Sequence, residues 1–256
     1  KHYKKKQQLR SKYCLRMYRL IIAFFTLGLV ACDTHYQSKH ELVSLIRQQQ
    51  HIVTNFAVAS AHPLATQAGI EILKQGGNAF DAAVAVTATL SVVEPYASGL
   101  GGGGFWLLHV AKNDQNIMID GRETAPLAAT RDMYIGTDGK PTQQSVVGPM
   151  AAGIPGLPAG LVHLSKKYGR LPLTVTLSFA IQVAHNGFSV SERYHKFAAK
   201  YIDRLQNSYQ AGKIFLSNSK APQPGYILRQ PQLAKVLESI RDSGFDGFYQ
   251  GKVAQK

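Results

Sequence analysis

The sequence predicts a mixed fold of the α/β or α+β class, in which a few strands precede a long series of helices. Residues 105–110 and 116–120 are short apolar segments separated by a polar turn, which is typical of a β-hairpin. Residues 63–75 and 79–93 place apolar side chains at helical spacing. Residues 158–242 contain further helical patterns. Helices and strands in this order bury a core between layers.

The chain has 256 residues, of which 45% are hydrophobic, and a formal net charge of +14. Eight of the 29 lysines and arginines lie within the first 20 positions, where there is no acidic residue. The rest of the chain therefore carries +6, and its basic residues are scattered. Since no DNA- or RNA-binding motif accompanies them, we expect no nucleic-acid partner.

The N-terminal 50 residues have the pattern of a targeting segment. Residues 17–31 combine a charged start, an apolar run and a small residue at the end, so they are interpreted as a secretory signal. Residues 29–32, Leu-Val-Ala-Cys, resemble the lipobox of bacterial lipoproteins, which predicts diacylation of Cys32 and cleavage before it. Residues 1–16 are then upstream sequence that is not translated, and residues 32–50 are a tether.

This interpretation places the protein on the periplasmic side of a bacterial membrane, held by a lipid anchor. The alternative is an ordinary signal peptide followed by an incidental cysteine, which gives a secreted periplasmic protein. Only Cys14 and Cys32 are present in the chain. The mature domain would then lack a thiol for a disulfide, for catalysis or for a cysteine metal site.

The first elements of the globular part follow in order. Residues 51–59 are rich in β-formers and alternate partly, so a strand is expected. Residues 63–75 form a helix that begins at a proline and ends at Gly76. Residues 79–93 form a second helix, which Asn78 can cap. Since this helix is apolar on nearly all sides, it belongs in the core.

A glycine-rich stretch precedes the hairpin, and five of the six residues at 99–104 are glycine. Gly99, Gly101 and Gly104 match the G-x-G-x-x-G pattern of dinucleotide-binding proteins. That pattern requires a strand before it and a helix after it, whereas here a helix precedes and a strand follows. A hinge or the beginning of a strand is therefore favoured over nucleotide binding. The strand at 105–110 is expected to be buried.

The second half of the chain is predicted to be mainly helical, with proline and glycine marking helix starts and ends. Residues 207–226 are expected to be loop. From residue 245 a further helical pattern begins and stops without a cap, which we interpret as a truncated chain. The helices are predicted at residues 158–168, 172–185, 192–205 and 231–242.

Four segments in register resemble motifs of the gamma-glutamyltransferases, the glutathione hydrolases. They are residues 78–85 (NAFDAAVA), 99–105 (GLGGGGF), 120–126 (DGRETAP) and 153–156 (GIPG). The resemblance extends from about residue 55 to the end and corresponds to the N-terminal part of the large subunit. It implies the αββα sandwich of N-terminal-nucleophile hydrolases, of which residues 51–256 would be an incomplete N-terminal portion.

The resemblance also implies an activity. Members transfer the γ-glutamyl group of glutathione to water or amino acids through a threonine acyl-enzyme, and the threonine begins a small subunit cut from the same precursor. That threonine would lie beyond residue 256, so no catalytic residue is expected here, and these 256 residues should be inactive alone. The resemblance implies glutathione and other γ-glutamyl compounds and the small subunit as partners, and it implies no cofactor. The predicted lipid anchor adds the membrane as a partner.

Arg122 matches the arginine of the family motif. The resemblance implies that it binds the α-carboxylate of the γ-glutamyl group, which a planar guanidinium can hold with two hydrogen bonds. Glu123 is expected to orient Arg122 or to meet the α-amine of the substrate. Without the resemblance, Arg122 would be interpreted as a surface arginine paired to Asp120. Many members have an aromatic residue where Gly121 stands, and glycine there predicts a more mobile loop and an altered pocket wall.

Other polar residues have more ordinary interpretations. His62 is expected to cap or pack, His109 to lie on a strand, and His185 to lie at a helix end. Asp81 is expected to be a buried capping acid, and Ser98 lacks the Gly-x-Ser-x-Gly context of a nucleophile. No histidine pair has metal-ligand spacing, so no metal site is expected.

Two other functions stay open at this point. A related member could hydrolyse γ-polyglutamate or acyl amides of the cephalosporin type. Alternatively, the chain could be a truncated, non-catalytic lipoprotein.

Overall fold

The computed structural model describes residues 56–255 of the chain. The predicted signal at 17–31, the lipidation site Cys32, the tether at 32–50 and residues 1–16 all lie outside the described residues. The first five residues of the strand predicted at 51–59 lie outside them as well.

Two helices begin the described part, as predicted. Helix α1 spans Pro63–Lys74, and helix α2 spans Ala79–Val93. The side chain of Asn78 accepts backbone N–H groups of the first turn of α2, and the Asp81 carboxylate accepts the backbone N–H of Asn78. This reciprocal capping box satisfies donors that a helix start otherwise leaves without partners. The two helices pack through small and aliphatic residues, namely Ala68, Ile72, Ala82 and Ala85.

The predicted hairpin is present and is antiparallel. Strand β1 spans Gly104–Val110 and strand β2 spans Gln115–Gly121, with Leu107 opposite Met118. The prediction that the strand at 105–110 is buried is wrong for one of its two faces. Trp106 points into the core, whereas the side chains of Leu107 and Met118 are 78% and 65% exposed. Successive side chains of a strand point to opposite faces, and the helices described here cover only one of them.

The main core surrounds α2. Helix α3 (Leu157–Tyr168) and helix α9 (Pro231–Ser243) contribute fully buried leucines and an isoleucine to it, and helix α5 (Ser178–Asn186) contributes buried alanines and Ile181. The inner face of the hairpin closes this core through Trp106 and Leu108. The mixed class predicted from the sequence is confirmed, with helices packed on one side of the hairpin.

Several boundaries differ from the predictions. The helix expected at 172–185 is divided at Leu177 into α4 (Leu173–Thr176) and α5. The helix expected at 192–205 is divided at Tyr201. The region expected to be loop contains a further helix, whose first turn is capped by the Ser208 hydroxyl. The remaining helices are α6 (Glu192–Lys200), α7 (Ile202–Gln206), α8 (Tyr209–Phe215), α10 (Asp246–Tyr249) and α11 (Gly251–Ala254).

The strand predicted at 51–59 is wrong for its described part, because residues 56–59 are irregular. A strand requires a neighbour for its backbone hydrogen bonds, and residues 57–59 belong to neither of the two sheets described within residues 56–255. A second small sheet pairs strands β3 (Phe188–Ser189) and β4 (Ile227–Leu228).

Asp81 also connects α2 to the end of α3, which confirms the expectation of a buried capping acid. Its carboxylate accepts the backbone N–H groups of Arg170 and Leu171, and the Asn78 amide donates to the carbonyl of Tyr168. Asp81 is fully buried, so these hydrogen bonds replace its lost hydration.

No helix within residues 56–255 is both long and apolar enough to cross a bilayer.

Candidate functional site

The glycine-rich stretch allows three separate segments to come into backbone contact. The carbonyl of Gly102 accepts the N–H groups of Gly156 and Leu157, at 3.1 and 3.0 Å. A Cβ atom on Gly103 would lie 2.5 Å from the carbonyl oxygen of Gly121. Only glycine tolerates such an approach. The stretch leads directly into β1 and follows a helix, so the prediction that it begins a strand is confirmed.

Arg122 lies just beyond β2, with its side chain 70% exposed. Its backbone N–H donates to Oδ1 of Asp120 at 2.9 Å, which fixes the turn out of the strand. The guanidinium contacts a different acid, since Nε lies 3.8 Å from Oε2 of Glu123. Asp120 therefore holds the backbone of Arg122, and the suggested pairing of Asp120 with the Arg122 side chain is absent from the described structure.

Glu123 occupies a confined position between two glycines. Its Oε1 would lie 3.3 Å from a Cβ on Gly102, and its own Cβ would lie 3.0 Å from one on Gly153. The neighbouring residue Thr124 exchanges two backbone hydrogen bonds with Ile154, at 3.1 and 2.8 Å. The sequence motifs at 99–105, 120–126 and 153–156 thus form one contiguous cluster. The partly exposed carboxylate of Glu123 beside the exposed guanidinium of Arg122 suits a ligand that carries both charges.

A cleft of about 670 Å³ adjoins Arg122. Strand β2 and the turn at Ile154 form one wall of the cleft. The first turn of α3 and its exposed face form the other wall. Ala159, His163 and Lys167 share one side of α3, because they are spaced four residues apart. Phe245 and Tyr249 also line the cleft, and the Tyr249 hydroxyl donates to the carbonyl of Pro155.

His163, Lys167 and Tyr249 line this cleft, although no pattern in the sequence indicates it. The four-residue spacing of His163 and Lys167 is visible in the sequence, but it shows only that they share a helix face. Which face meets the hairpin depends on tertiary packing. Tyr249 is 94 residues from Pro155, and no local pattern connects them.

Gly121 has a structural role that differs from the one expected. It is the last residue of β2 and pairs with Gly104, and a Cβ on it would lie 2.6 Å from the indole ring of Trp106. The same ring would lie 2.3 Å from a Cβ on Gly160 of α3. Gly121 therefore makes room for the only tryptophan of the chain, instead of loosening a loop.

The weaker candidates have structural partners. Nδ1 of His62 accepts the backbone N–H of Leu64 and caps α1, as expected. Nδ1 of His109 lies 3.1 Å from Oδ1 of Asn116 across the hairpin. Nε2 of His185 lies 3.1 Å from Oε1 of Glu238. Within the described part of the chain, no three metal-ligating side chains are grouped closely enough to hold an ion.

Comparisons with known proteins agree with this arrangement. The sequence model of the gamma-glutamyltranspeptidase family matches residues 65–256. The chain is 39% identical over 200 residues to a glutathione hydrolase proenzyme of Bacillus subtilis (strain 168), and 41% identical over 201 residues to one of Escherichia coli (strain K12). These alignments cover 77% and 78% of this chain and 34% of each relative. The chain thus spans about a third of the length of the curated relatives it matches.

Solved structures show the same fold. Helicobacter pylori gamma-glutamyltranspeptidase aligns with a TM-score of 0.77 and 39% identity, covering 79% of this chain and 58% of that one. A cephalosporin acylase of Bacillus halodurans aligns with a TM-score of 0.68 and 33% identity, covering 76% and 37% of the two chains. The predicted fold, a portion of an N-terminal-nucleophile hydrolase, is confirmed by these likenesses.

Proposed function

The chain belongs to the gamma-glutamyltranspeptidase family, and from that premise we propose that it is part of a γ-glutamyltransferase or glutathione hydrolase. The substrates are glutathione and other γ-glutamyl compounds. The γ-glutamyl group is transferred to water or to an amino acid. The observation that carries the proposal is the exposed guanidinium of Arg122, which lies beside Glu123 on the wall of a cleft.

Arg122 holds the α-carboxylate of the γ-glutamyl group. A guanidinium has parallel N–H groups that match the two oxygens of a carboxylate, which an ammonium group cannot reproduce. Glu123 orients the guanidinium through the contact between Nε and Oε2, and it is placed to accept the α-ammonium group of the same ligand. Fixing this end of the ligand limits the positions that the γ-carbonyl can take.

The chemical step belongs to a threonine at the N-terminus of a small subunit released from the same precursor. Its hydroxyl oxygen attacks the γ-carbonyl carbon, and its own amino group takes the hydroxyl proton. The C–N bond then breaks, the proton passes to the leaving amine, and a γ-glutamyl ester forms. Water or an amino acid attacks that ester and regenerates the threonine. No group of residues 56–255 is assigned to this chemistry, and the chain alone is expected to be inactive.

The exposed face of the hairpin supports the proposal that a second subunit binds this part of the chain. Phe105, Leu107 and Met118 form adjacent exposed apolar positions on this face. Exposed apolar patches of this kind mark surfaces that pack against another polypeptide. We assign this hairpin face to the contact with the remainder of the precursor.

The role of Arg122 is tested in the complete, processed protein with Arg122→Ala and Arg122→Lys. Loss of a charged hydrogen-bonding partner should raise the KM for glutathione about 10- to 100-fold. Self-cleavage should survive, because Arg122 does not take part in it. Arg131→Ala is the matched control, since Arg131 lies on the following loop with its side chain 94% exposed. An unchanged KM in both Arg122 variants would rule out the clamp.

A second candidate within the family is hydrolysis of acyl amides, favoured by the likeness to the cephalosporin acylase, or of γ-polyglutamate. Comparing turnover of glutathione, a γ-glutamyl polymer and a cephalosporin-type amide by one preparation separates these activities. A chain without activity on any of them would fit the non-catalytic lipoprotein.

The lipid anchor at Cys32 and the periplasmic location stay predictions, and membrane fractionation of a Cys32→Ser variant tests them.

A further inference from the structure

A second cavity, of about 140 Å³, lies between the end of α2 and the helices α6 to α8. It shares no lining residue with the cleft beside Arg122. Its walls are mainly aromatic. The residues that define it are Tyr96, Tyr194, Phe197, Ala198, Tyr201 and Phe215. We refer to it as the aromatic cavity.

The rings are held in place by their own contacts. Tyr96 stacks on Phe197, with ring centroids 4.8 Å apart and planes 4° from parallel. The Tyr96 hydroxyl donates to Oε1 of Glu94, and the Tyr194 hydroxyl donates to the carbonyl of Phe215, both at 3.0 Å. Both hydroxyls are therefore engaged, and the walls present ring surface to an occupant.

Tyr96 and Tyr194 stay uncharged at neutral pH. Burial, together with the hydrogen bond to Glu94, raises the pKa of Tyr96 to about 12. Burial also raises the pKa of Tyr194 above its ordinary value. Of the described residues that line the cavity, none is acidic. An anionic ligand would thus meet no negative charge from the lining.

Cations surround the rim. The guanidinium carbon of Arg193 lies 5.8 Å from the ring centroid of Tyr96. Nζ of Lys200 and the guanidinium carbon of Arg204 lie 5.3 and 5.5 Å from the ring centroid of Tyr201. None of these three cations forms a salt bridge within residues 56–255. Residues 190–220 contain six basic and two acidic residues, and Glu94, which accepts the Tyr96 hydroxyl, is one further acid beside the cavity, so the surrounding charge stays positive and favours an anion.

We propose that the aromatic cavity binds a small aromatic acid, with one six-membered ring between the tyrosines and its carboxylate at the cationic rim. An apolar cavity of roughly 150 Å³ accepts a benzene molecule, so the volume suits a single ring. Offset or edge contacts with Tyr96, Tyr194 and Phe197 favour an aromatic over an aliphatic ring. The carboxylate finds charge-assisted hydrogen bonds from Arg204 or Arg193.

Phenylacetate and its neutral analogue phenylacetamide are the probes. Their binding to the full-length protein is measured by saturation-transfer NMR titration. Phenylacetate should bind in a saturable manner, and phenylacetamide about two- to fivefold more weakly, as expected for partly exposed charge pairs. Arg204→Gln should reduce the difference between the two probes. Lys235→Gln is the matched control, because it removes an exposed cation from α9 and should change neither affinity.

Ala198→Leu fills the cavity and should abolish binding of both probes. Phe197→Leu, which removes the stacked ring, serves as a second variant if the first fails to fold. Equal affinity for the two probes, absence of saturable binding, or unchanged binding in a folded cavity variant would overturn the proposal. Loss of phenylacetate binding in Arg122→Ala would also overturn it, since the ligand would then occupy the substrate cleft. The glutathione kinetics of the cavity variants should equal those of the wild type.

Discussion

At the scale of single residues, the Trp106 side chain restricts which residues can occupy the positions that pack against it. Its ring is buried against backbone at Gly121 and Gly160, where a Cβ would lie only 2.6 and 2.3 Å away. Interiors are packed too closely to absorb an extra methyl group without displacement. Both positions must therefore be glycine as long as position 106 is tryptophan.

This dependence predicts a coupling between the residues. Gly160→Ala should lower the free energy of unfolding by about 1–3 kcal/mol through overpacking. In a Trp106→Leu background, which leaves space beside α3, the same substitution should cost clearly less. Urea unfolding of the two single variants and the double variant measures the coupling.

Gly101→Ala is the control, because a Cβ there would have no heavy atom within 4 Å. It should leave the stability almost unchanged. Equal costs of Gly160→Ala in the two backgrounds would contradict the packing explanation.

At the scale of elements, helix α1 depends on a titratable cap. Nδ1 of His62 accepts the N–H of Leu64 and can do so only while it is unprotonated. Burial lowers the pKa of His62 below 6.5, and the nearby charge of Glu94 opposes this only partly. The unfolded chain therefore binds the proton more readily, so the contribution of His62 is complete above about pH 6.5 and is lost as the pH falls.

His62→Asn should remove this dependence while keeping a cap acceptor. Unfolding free energies of the two proteins should be similar at pH 7.5, and the wild type should become the less stable one near pH 5. His109→Gln, which changes an exposed histidine of β1 whose partner Asn116 is uncharged, is the control and should keep the wild-type difference. Parallel pH profiles of the wild type and His62→Asn would refute the proposed cap titration.

At the scale of the whole molecule, the hairpin has one face in the core and one face without cover in residues 56–255. Leu107→Asp should therefore weaken the assembly with the remainder of the precursor by about 2 kcal/mol, the order expected for a buried leucine. The yield of processed heterodimer on size-exclusion chromatography measures this. Lys112→Asp, at the turn of the hairpin, is the control. A normal yield from Leu107→Asp would show that this face stays in water.

Local signals in the sequence determined the helices and strands whose ends are marked by proline, glycine, a capping side chain or a polar turn. The Pro63 start and Gly76 end of α1, the Asn78 cap of α2 and the polar turn between the strands are all contained in a few neighbouring residues. The motif segments at 99–105, 120–126 and 153–156 also indicated the family, because their order and spacing are properties of the chain itself. The same motifs indicate Arg122 and Glu123 as site residues, and the kinetic test addresses the proposed role of Arg122.

Tertiary structure decided the features that depend on distant partners. Leu107 lies in an apolar run, yet its side chain is exposed, because the helices pack on only one face of the hairpin. The β-rich residues 57–59 remain irregular, since they belong to neither sheet of the described part. The need for glycine at position 121 comes from the Trp106 ring, which packs between Gly121 and α3. The aromatic cavity forms because Tyr96 packs against α6. Local sequence sets the preference of each backbone segment, whereas burial and contact across many residues exist only once the segments have packed.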